Sequence, residues 1–243
     1  MVEPIPSLRG ARRQPGAGDR LVILGCGNHG LVCGEMAELC GYRDISFLDL
    51  RRFHDPARTF PWRVRGAFET GTFASDLAAC GNADGEFLVA MGDNQARLAL
   101  SRQIEAAGLR LATLIHPTAF VSPRALVGAG SSVCAGAVIQ PNARLGLACL
   151  VNTCASVDHD CQLAPGVHLS PGAHLSGRVV IGEGTWLGTG VAVRDGITIG
   201  SGITVGVGGV VVENLSAPGV YVGIPARFLR PQRARTHSEA PPG

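Results

Sequence analysis

The second half of the chain has a six-residue pattern of hydrophobic positions. An aliphatic residue stands at every sixth position of this stretch: Ile115, Val121, Val127, Val133, Ile139, Leu145, Val151, Val157, Leu163, Leu169, Leu175, Ile181, Leu187, Val193, Ile199, Val205 and Val211. Most residues four positions after these are small, and Gly or Pro often stands between them. Because the period is neither the 3.6 of a helix nor the 2 of an ordinary strand, it predicts short parallel strands joined by tight turns.

These units predict a left-handed parallel β-helix of hexapeptide repeats over residues 115–230, ending in a cap after Val211. Three units would close one coil of 18 residues, and the coils would stack at the ~4.8 Å spacing of paired strands. The aliphatic positions would then fill the axis of a triangular prism. The repeat is long enough for roughly five and a half coils.

Residues 20–114 show a different pattern, in which strand-like and helix-like segments alternate. The predicted elements are the strand Arg20–Leu24, the helix His29–Cys40 ended by Gly41, the strand Ile45–Asp49, a short strand near Trp62–Arg65, the helix Phe73–Cys80, the strand Glu86–Met91, the helix Asn94–Ala107 ended by Gly108, and the strand Arg110–Leu114. This alternation predicts a small doubly wound, Rossmann-like domain. The predicted fold class is therefore α/β plus β.

Composition and charge exclude several classes of partner. Lys and Arg exceed Asp and Glu by only two, so neither nucleic acid nor a membrane is expected as a partner. No apolar stretch is long enough for a membrane span. Residues 1–19 lack the apolar segment of an export signal, and we expect a disordered extension there, a disordered tail over 231–243, and a cytoplasmic location. The eight cysteines form no C-x-x-C pair and are expected to be mostly buried small residues.

A glycine-rich loop lies between the first predicted strand and helix. Gly25–Gly30 reads G-x-G-x-x-G, and Asp49 ends the next strand. Such loops bring backbone N–H groups and a helix N-terminus to a phosphate, which suits a dinucleotide or any phosphorylated nucleotide. The small domain and the missing hydride-transfer residues favour a nucleotide sugar. His29 could donate a hydrogen bond to a diphosphate, or it could be a neighbour of the helix N-cap that binds no ligand. Asp49 could accept a hydrogen bond from a base or ribose, or it could only cap a turn.

Among the histidines of the repeat, His159 has the strongest candidate chemistry. Asp158 and Asp160 flank it, and a neutral histidine that takes a proton from a nucleophile needs a carboxylate to fix its tautomer. One coil of 18 residues places Gly177 beside His159, where a backbone N–H could receive an oxyanion. The pattern indicates acyl transfer. The alternative is a solvated turn residue with incidental acidic neighbours.

A zinc site is a second interpretation of these histidines. His159, His168 and His174 are nine and six residues apart, so none stacks on another in a coil of 18 residues. One chain alone would not gather them, although ligands shared between subunits stay open, and no metal is expected. Trp186 follows His168 by one coil, where it could stack on a ligand or pack between subunits.

Several motifs resemble one known family over about residues 20–230. They are ILGCGNHGLVCGEMAELCGY, FLD at Phe47–Asp49, AMGDNQAR, IHPTAFVSP, VNTCASVDHDC and YVGIPARFL. Together they resemble the hexapeptide acetyltransferases with an N-terminal nucleotide-sugar domain. This family includes sialic-acid O-acetyltransferases and the UDP-4-amino-sugar N-acetyltransferase of bacillosamine synthesis. HGLVC, GY and FLD are more similar to the bacillosamine branch.

The resemblance implies an enzyme that uses acetyl-CoA as donor and forms a homotrimer with active sites between adjacent prisms. His159 resembles the general base, and Asp160 the carboxylate that raises its basicity. Asn152 is similar to the asparagine that lines the site. Gly177 is similar to the residue whose N–H meets the acetyl carbonyl.

The resemblance also implies two sets of binding residues. The CoA groove would be lined by His168, Gly177, Thr189 and Val207. The sugar nucleotide would meet the phosphate loop and two further positions: Gly27, Asn28, His29, Asp49 as the uridine contact, and Gly92.

Two residues depart from the bacillosamine pattern. Leu50 stands where that enzyme has a second Asp, and Arg227 replaces the usual Lys after GIPA. The predicted function is transfer of an acetyl group to the 4-amino group of a nucleotide-linked 4-amino-4,6-dideoxy sugar. UDP is the nucleotide expected first. The alternatives are O-acetylation of a sialic-type acid, and a non-catalytic or zinc-binding β-helix trimer.

Overall fold

The structure is a computed structural model that describes residues 20–50, 60–68 and 85–232. The predicted helix Phe73–Cys80 and the predicted extension at residues 1–19 lie outside the described residues. So does most of the predicted tail, from residue 233 onward. In the described residues, no helix has the length and apolar character needed to cross a bilayer.

The first domain is an open parallel sheet with helices, as the alternating pattern predicts. Its elements are β1 (Arg20–Leu24), α1 (Asn28–Leu39), β2 (Asp44–Leu50), β3 (Arg63–Phe68), β4 (Glu86–Val89), α2 (Asn94–Ala106) and β5 (Arg110–Leu111). The strand order is β3-β2-β1-β4-β5, and each pair is parallel. The chain therefore reverses its direction of winding between β1 and β4, where such sheets open a crevice at the carboxyl ends of their strands.

The second domain is a left-handed parallel β-helix of short strands. Its strands are β6 (Leu114–Ile115), β7 (Phe120–Val121), β8 (Leu126–Val127), β9 (Ser132–Val133), β10 (Val138–Ile139), β11 (Arg144–Leu145), β12 (Leu150–Val151), β13 (Ser156–Val157), β14 (Gln162–Leu163), β15 (His168–Leu169), β16 (His174–Leu175), β17 (Val180–Ile181), β18 (Trp186–Leu187), β19 (Ala192–Val193), β20 (Thr198–Ile199), β21 (Ile203–Val205) and β22 (Val210–Val211). From β6 to β19, each strand pairs with the strand 18 residues later, for example Val151 with Leu169. This register confirms the predicted fold class.

The aliphatic residues of the repeat form one continuous core inside the prism. Three parallel sheets make its walls. One of them continues with β23 (Gly219–Val222), which is parallel to β21, and ends with β24 (Arg227–Arg230), which is antiparallel to β23 and closes the cap. Among the described residues, most cysteines are buried, and only Cys154 is exposed.

The predicted strand Arg110–Leu114 is wrong, because this segment belongs to two sheets. Arg110 and Leu111 form β5 beside β4, whereas Leu114 begins β6 and pairs with Ser132 of the β-helix. The chain therefore leaves the first sheet after Leu111 and enters the wall of the prism at Leu114.

The two domains share a hydrophobic core. Cys33 and Met36 of α1 pack in one buried cluster with Cys134 and Leu150 of the β-helix. The first domain therefore covers one wall of the prism, the sheet that contains β9, β12 and β15. The position of α1 against this wall fixes where the glycine-rich loop lies.

A second helix docks on a corner of the prism. Arg97 of α2 is buried, and its guanidinium donates to the carbonyl oxygens of Ala148 and Gly166, which lie one coil apart. Asn94 donates to the carbonyl oxygen of Gly184, one coil further. The pitch of a helix, about 5.4 Å, is close to the ~4.8 Å coil spacing, so successive helical turns meet successive coils.

Candidate active site

His159 lies at an exposed corner of the prism, in the turn between β13 and β14. Its Nδ1 is 2.8 Å from Asp160 Oδ2, and its backbone N–H donates to Asp158 Oδ1 at 2.7 Å. The side chains of His159 and Asp160 are about half exposed. The pair that the sequence predicts is therefore formed, and it faces solvent.

The carboxylate of Asp160 sets the tautomer of His159. Hydrogen bonds from His159 and then from Asn142 hold the pKa of the Asp160 carboxyl below its usual range. An ionised Asp160 accepts from the Nδ1–H of His159, which leaves Nε2 as the unprotonated, proton-accepting nitrogen. The arrangement is the one that a general base requires.

Gly177 stands beside His159 in the next coil, as the 18-residue register predicts. A Cβ at this position would lie 2.6 Å from His159 Cε1 and Nε2, so only glycine leaves room for the imidazole. Within the described residues, the N–H of Gly177 donates to no protein acceptor. A backbone donor and a proton acceptor therefore lie side by side, which suits the stabilisation of an oxyanion during acyl transfer.

Asn152, Thr189 and Val207 lie at a different corner of the prism from His159. Asn152 follows β12, and its Oδ1 accepts from the backbone N–H of Thr153 at 2.8 Å. Thr189 and Val207 follow strands of the same sheet and stand one coil apart, and Val207 is 79 % exposed. In the described part of the chain no hydrogen bond joins Asn152 to His159, so one subunit does not gather these predicted site residues.

His168 lies on the wall that the first domain covers. Its ring is stacked on Trp186 at 5.8 Å between centroids, and neither ring nitrogen has a hydrogen-bond partner among the described residues. Burial, followed by the charge of Arg97 and by His29, lowers the pKa of His168 to about 3. His168 is thus a neutral, nearly buried histidine beside the first domain.

The glycine-rich loop turns β1 into α1 at the sheet edge expected for a phosphate. Gly27 is the N-cap residue of α1, and the helix begins at Asn28. His29 Nε2 is 3.5 Å from Cys33 Sγ, and burial together with the charge of Arg97 lowers the pKa of His29 to about 4. His29 is therefore neutral near pH 7 and can donate one hydrogen bond to a ligand.

Asp49 and Gly92 complete the predicted nucleotide set at the same sheet edge. Asp49 is the next-to-last residue of β2 and is almost fully buried, and its Oδ1 accepts from the backbone N–H groups of Cys26 and Leu50. The carboxylate thus holds the glycine-rich loop in place, as a cap does, and its contact with a base or ribose stays a prediction. Gly92 follows β4, with no atom within 4 Å of the place a Cβ would occupy.

The sequence does not predict three residues that hold the site or the domain junction in place, namely Asn142, Arg178 and Arg97. Asn142 donates to Asp160 Oδ1 at 3.0 Å from the preceding coil, and Arg178 forms an ion pair with Asp195 in the following coils. Both could have been found by the 18-residue arithmetic that selects Gly177. Arg97 could not, because its partners are carbonyl oxygens that no sequence pattern marks.

The alternative interpretation of the histidines is a zinc site. Over residues 20–50, 60–68 and 85–232, the side chains of His, Cys, Asp and Glu form no group of three that could hold a metal ion. The histidines of the repeat lie on separate strands and turns, as the coil arithmetic predicts.

This fold and this corner define an acyltransferase of the hexapeptide-repeat β-helix class. A family model described as the PglD N-terminal domain matches residues 20–104. The acetyltransferase domain of PglB from Neisseria gonorrhoeae is 39 % identical over 87 % of this chain and 100 % of its own, with a TM-score of 0.80. PerB from Caulobacter crescentus, solved with CoA and GDP-perosamine, is 37 % identical over 86 % of this chain and 96 % of its own, with a TM-score of 0.77. The chain belongs to the PglD-like family of sugar acetyltransferases.

Proposed function

We propose that this enzyme moves the acetyl group of acetyl-CoA to the 4-amino group of a nucleotide-linked 4-amino-4,6-dideoxy sugar. The observation that carries the proposal is the His159–Asp160 pair beside the backbone N–H of Gly177. The relatives support the substrate class: the PglB domain has also been solved with acetyl coenzyme A, and PerB with CoA and GDP-perosamine.

In the proposed reaction the sugar amine attacks the thioester carbon of acetyl-CoA. His159 Nε2 takes the proton that the amine loses, and Asp160 stabilises the imidazolium. The N–H of Gly177 donates to the oxygen of the tetrahedral intermediate. The carbon–sulfur bond then breaks, the thiolate leaves with the proton held by His159, and the products are CoA and the acetamido sugar.

We propose that the nucleotide part of the acceptor lies in the crevice of the first domain. Gly27, Asn28 and His29 would meet the diphosphate, since the N-terminus of a twelve-residue helix favours an anion. Gly92 lies at the same edge and leaves open space for a ligand. UDP is the nucleotide that we propose first, and the GDP sugar bound by PerB makes GDP the alternative to test.

We propose that CoA binds between two subunits of a homotrimer. Asn152, Thr189 and Val207 lie at one corner of the prism and His159 at another, so a neighbouring copy is needed to bring the two corners together. Arg227 of the cap pairs with Glu213 and is exposed, where its charge could meet the phosphates of CoA. The trimer and the cytoplasmic location stay predictions, and the mass of the protein in solution tests the trimer.

The decisive experiment is a thiol-release assay with acetyl-CoA and a panel of acceptors. The panel contains UDP- and GDP-linked 4-amino-4,6-dideoxy sugars, their 4-hydroxy counterparts and a sialic acid. Release of CoA with an amino sugar nucleotide alone is the expected result. Release with sialic acid alone would replace N-acetylation by O-acetylation.

A further inference from the structure

Asn142 stands one coil before Asp160 at the same corner of the prism. Its Nδ2 donates to Asp160 Oδ1 at 3.0 Å, while Asp160 Oδ2 is 2.8 Å from His159 Nδ1. Each oxygen of the carboxylate therefore has its own partner. A carboxylate with one engaged oxygen could rotate about its terminal torsion, which is soft, whereas two partners on opposite sides fix its plane.

We propose that Asn142 is a positioning residue for the reaction, which acts through Asp160 on His159 without touching substrate. This inference rests on the proposed function, because it takes His159 as the general base. The amide of Asn142 keeps Asp160 ionised and aimed at Nδ1 of His159, so that Nε2 stays in the proton-accepting state and faces Gly177.

The backbone explains why asparagine suits this position. Asn142 has φ 63° and Asp160 has φ 59°, and both occupy the left-handed region at successive coils. Asparagine and aspartate enter this region more readily than other side chains, and glycine enters it without a side chain. Of these residues only asparagine supplies an uncharged donor to the carboxylate above it.

Two other charged or titratable side chains lie near the carboxylate of Asp160. His159 lies beside it, and Arg178 of the following coil contributes a favourable charge. The guanidinium of Arg178 is itself paired with Asp195, which follows it by about one coil. Asn142 is therefore the donor that the preceding coil provides, and Arg178 acts on Asp160 from the opposite side.

The test compares two variants of Asn142 with a control on the same coil. Asn142→Gly removes the amide and keeps the left-handed backbone without strain, so loss of activity reports the side chain. Asn142→Asp keeps the shape but replaces the amide donor by a second carboxylate, about 3.0 Å from Asp160 Oδ1. Arg144→Gln is the control, because Arg144 is an exposed residue two positions along the same coil with no part in the site.

We expect Asn142→Gly to lower kcat about 10-fold, the lower end of the range for one hydrogen bond to a charged group, with KM for both substrates within about twofold. Asn142→Asp should lower kcat at least as far, because two carboxylates this close repel each other, so that Asp160 turns away from His159 or takes up a proton. Thermal midpoints of all variants are measured beside the kinetics.

The two ideas fail in different ways. A wild-type kcat in both Asn142→Gly and Asn142→Asp, while His159→Ala is inactive, would overturn the role of Asn142 and leave the proposed function standing. A merely structural role for Asn142 predicts a lower thermal midpoint with a wild-type kcat for the folded protein, which also overturns the inference. Full activity in His159→Ala would refute the proposed function itself.

Discussion

Replacement of Arg97 should weaken the junction between the two domains and lower the free energy of unfolding. It is 2 % exposed, and its guanidinium donates to the carbonyl oxygens of Ala148 at 3.0 Å, Gly166 at 2.9 Å and Met91 at 2.9 Å. Arg97→Met removes these donors and leaves the three carbonyl oxygens without the guanidinium. Burial lowers the pKa of Arg97 to about 10, so the group is charged near pH 7 and its bonds are charge-assisted.

The magnitude follows from the three carbonyl groups. A buried acceptor that loses its donor costs about 1 kcal/mol or more, so Arg97→Met should lose about 3 kcal/mol of unfolding free energy. For a chain of this length that loss corresponds to a fall of about 6–12 °C in the thermal midpoint. The assay is thermal unfolding by circular dichroism at one fixed protein concentration, since assembly would shift the midpoint.

Arg102→Met is the matched control on the same helix. Arg102 forms an ion pair with Glu183 at 2.7 Å across the same junction, but both side chains are largely exposed. An exposed pair contributes about 0–1 kcal/mol, so this variant should unfold within about 3 °C of the wild type. Equal midpoints for Arg97→Met and Arg102→Met would refute the argument that buried carbonyls depend on Arg97.

Two further predictions concern the site and the covered wall. Gly177→Ala places a Cβ 2.6 Å from His159 Nε2, so the imidazole must turn away; kcat should fall about 10- to 100-fold at an unchanged thermal midpoint, and a wild-type kcat would contradict the packing argument. His168 has its pKa lowered to about 3 in the folded chain, so the unfolded chain binds more protons below about pH 6.5, and stability is lost as pH falls from that value toward 3. Between pH 7 and pH 5 the free energy of unfolding should fall by about 2 kcal/mol for this reason. In denaturant titrations, the free energy of unfolding of His168→Phe should change less between pH 7 and pH 5 than that of the wild type. An equal change in the two proteins would contradict the burial of a neutral His168.

The β-helix could be predicted from the sequence because its register repeats. A fixed period of six determines which residues point inward and which residue stands one coil away, so the place of Gly177 beside His159 follows from their residue numbers alone. The same rule places Asn142 beneath Asp160, although the sequence argument followed the coil only toward the C-terminus.

The relation between the domains could not be predicted from the sequence. No period links α2 to the corner of the prism, and the contacts of Arg97 go to backbone carbonyls, which every residue carries. The burial of His168 depends on α1 covering the wall, a tertiary contact between two segments with different periods. The prediction of one strand over Arg110–Leu114 was wrong for a related reason, because Leu111 and Leu114 are both apolar and strand-like although they enter different sheets.

The central claim is that His159 is the general base for acetyl transfer to a sugar amine. Its most direct test is kcat/KM of His159→Ala against wild type, with acetyl-CoA and the amino sugar nucleotide that the panel identifies, at saturating donor. General bases contribute about 10²- to 10⁴-fold, so we expect a loss in that range with an unchanged thermal midpoint. A kcat/KM within about threefold of the wild-type value would contradict the account, because a proton acceptor of this kind cannot be dispensable.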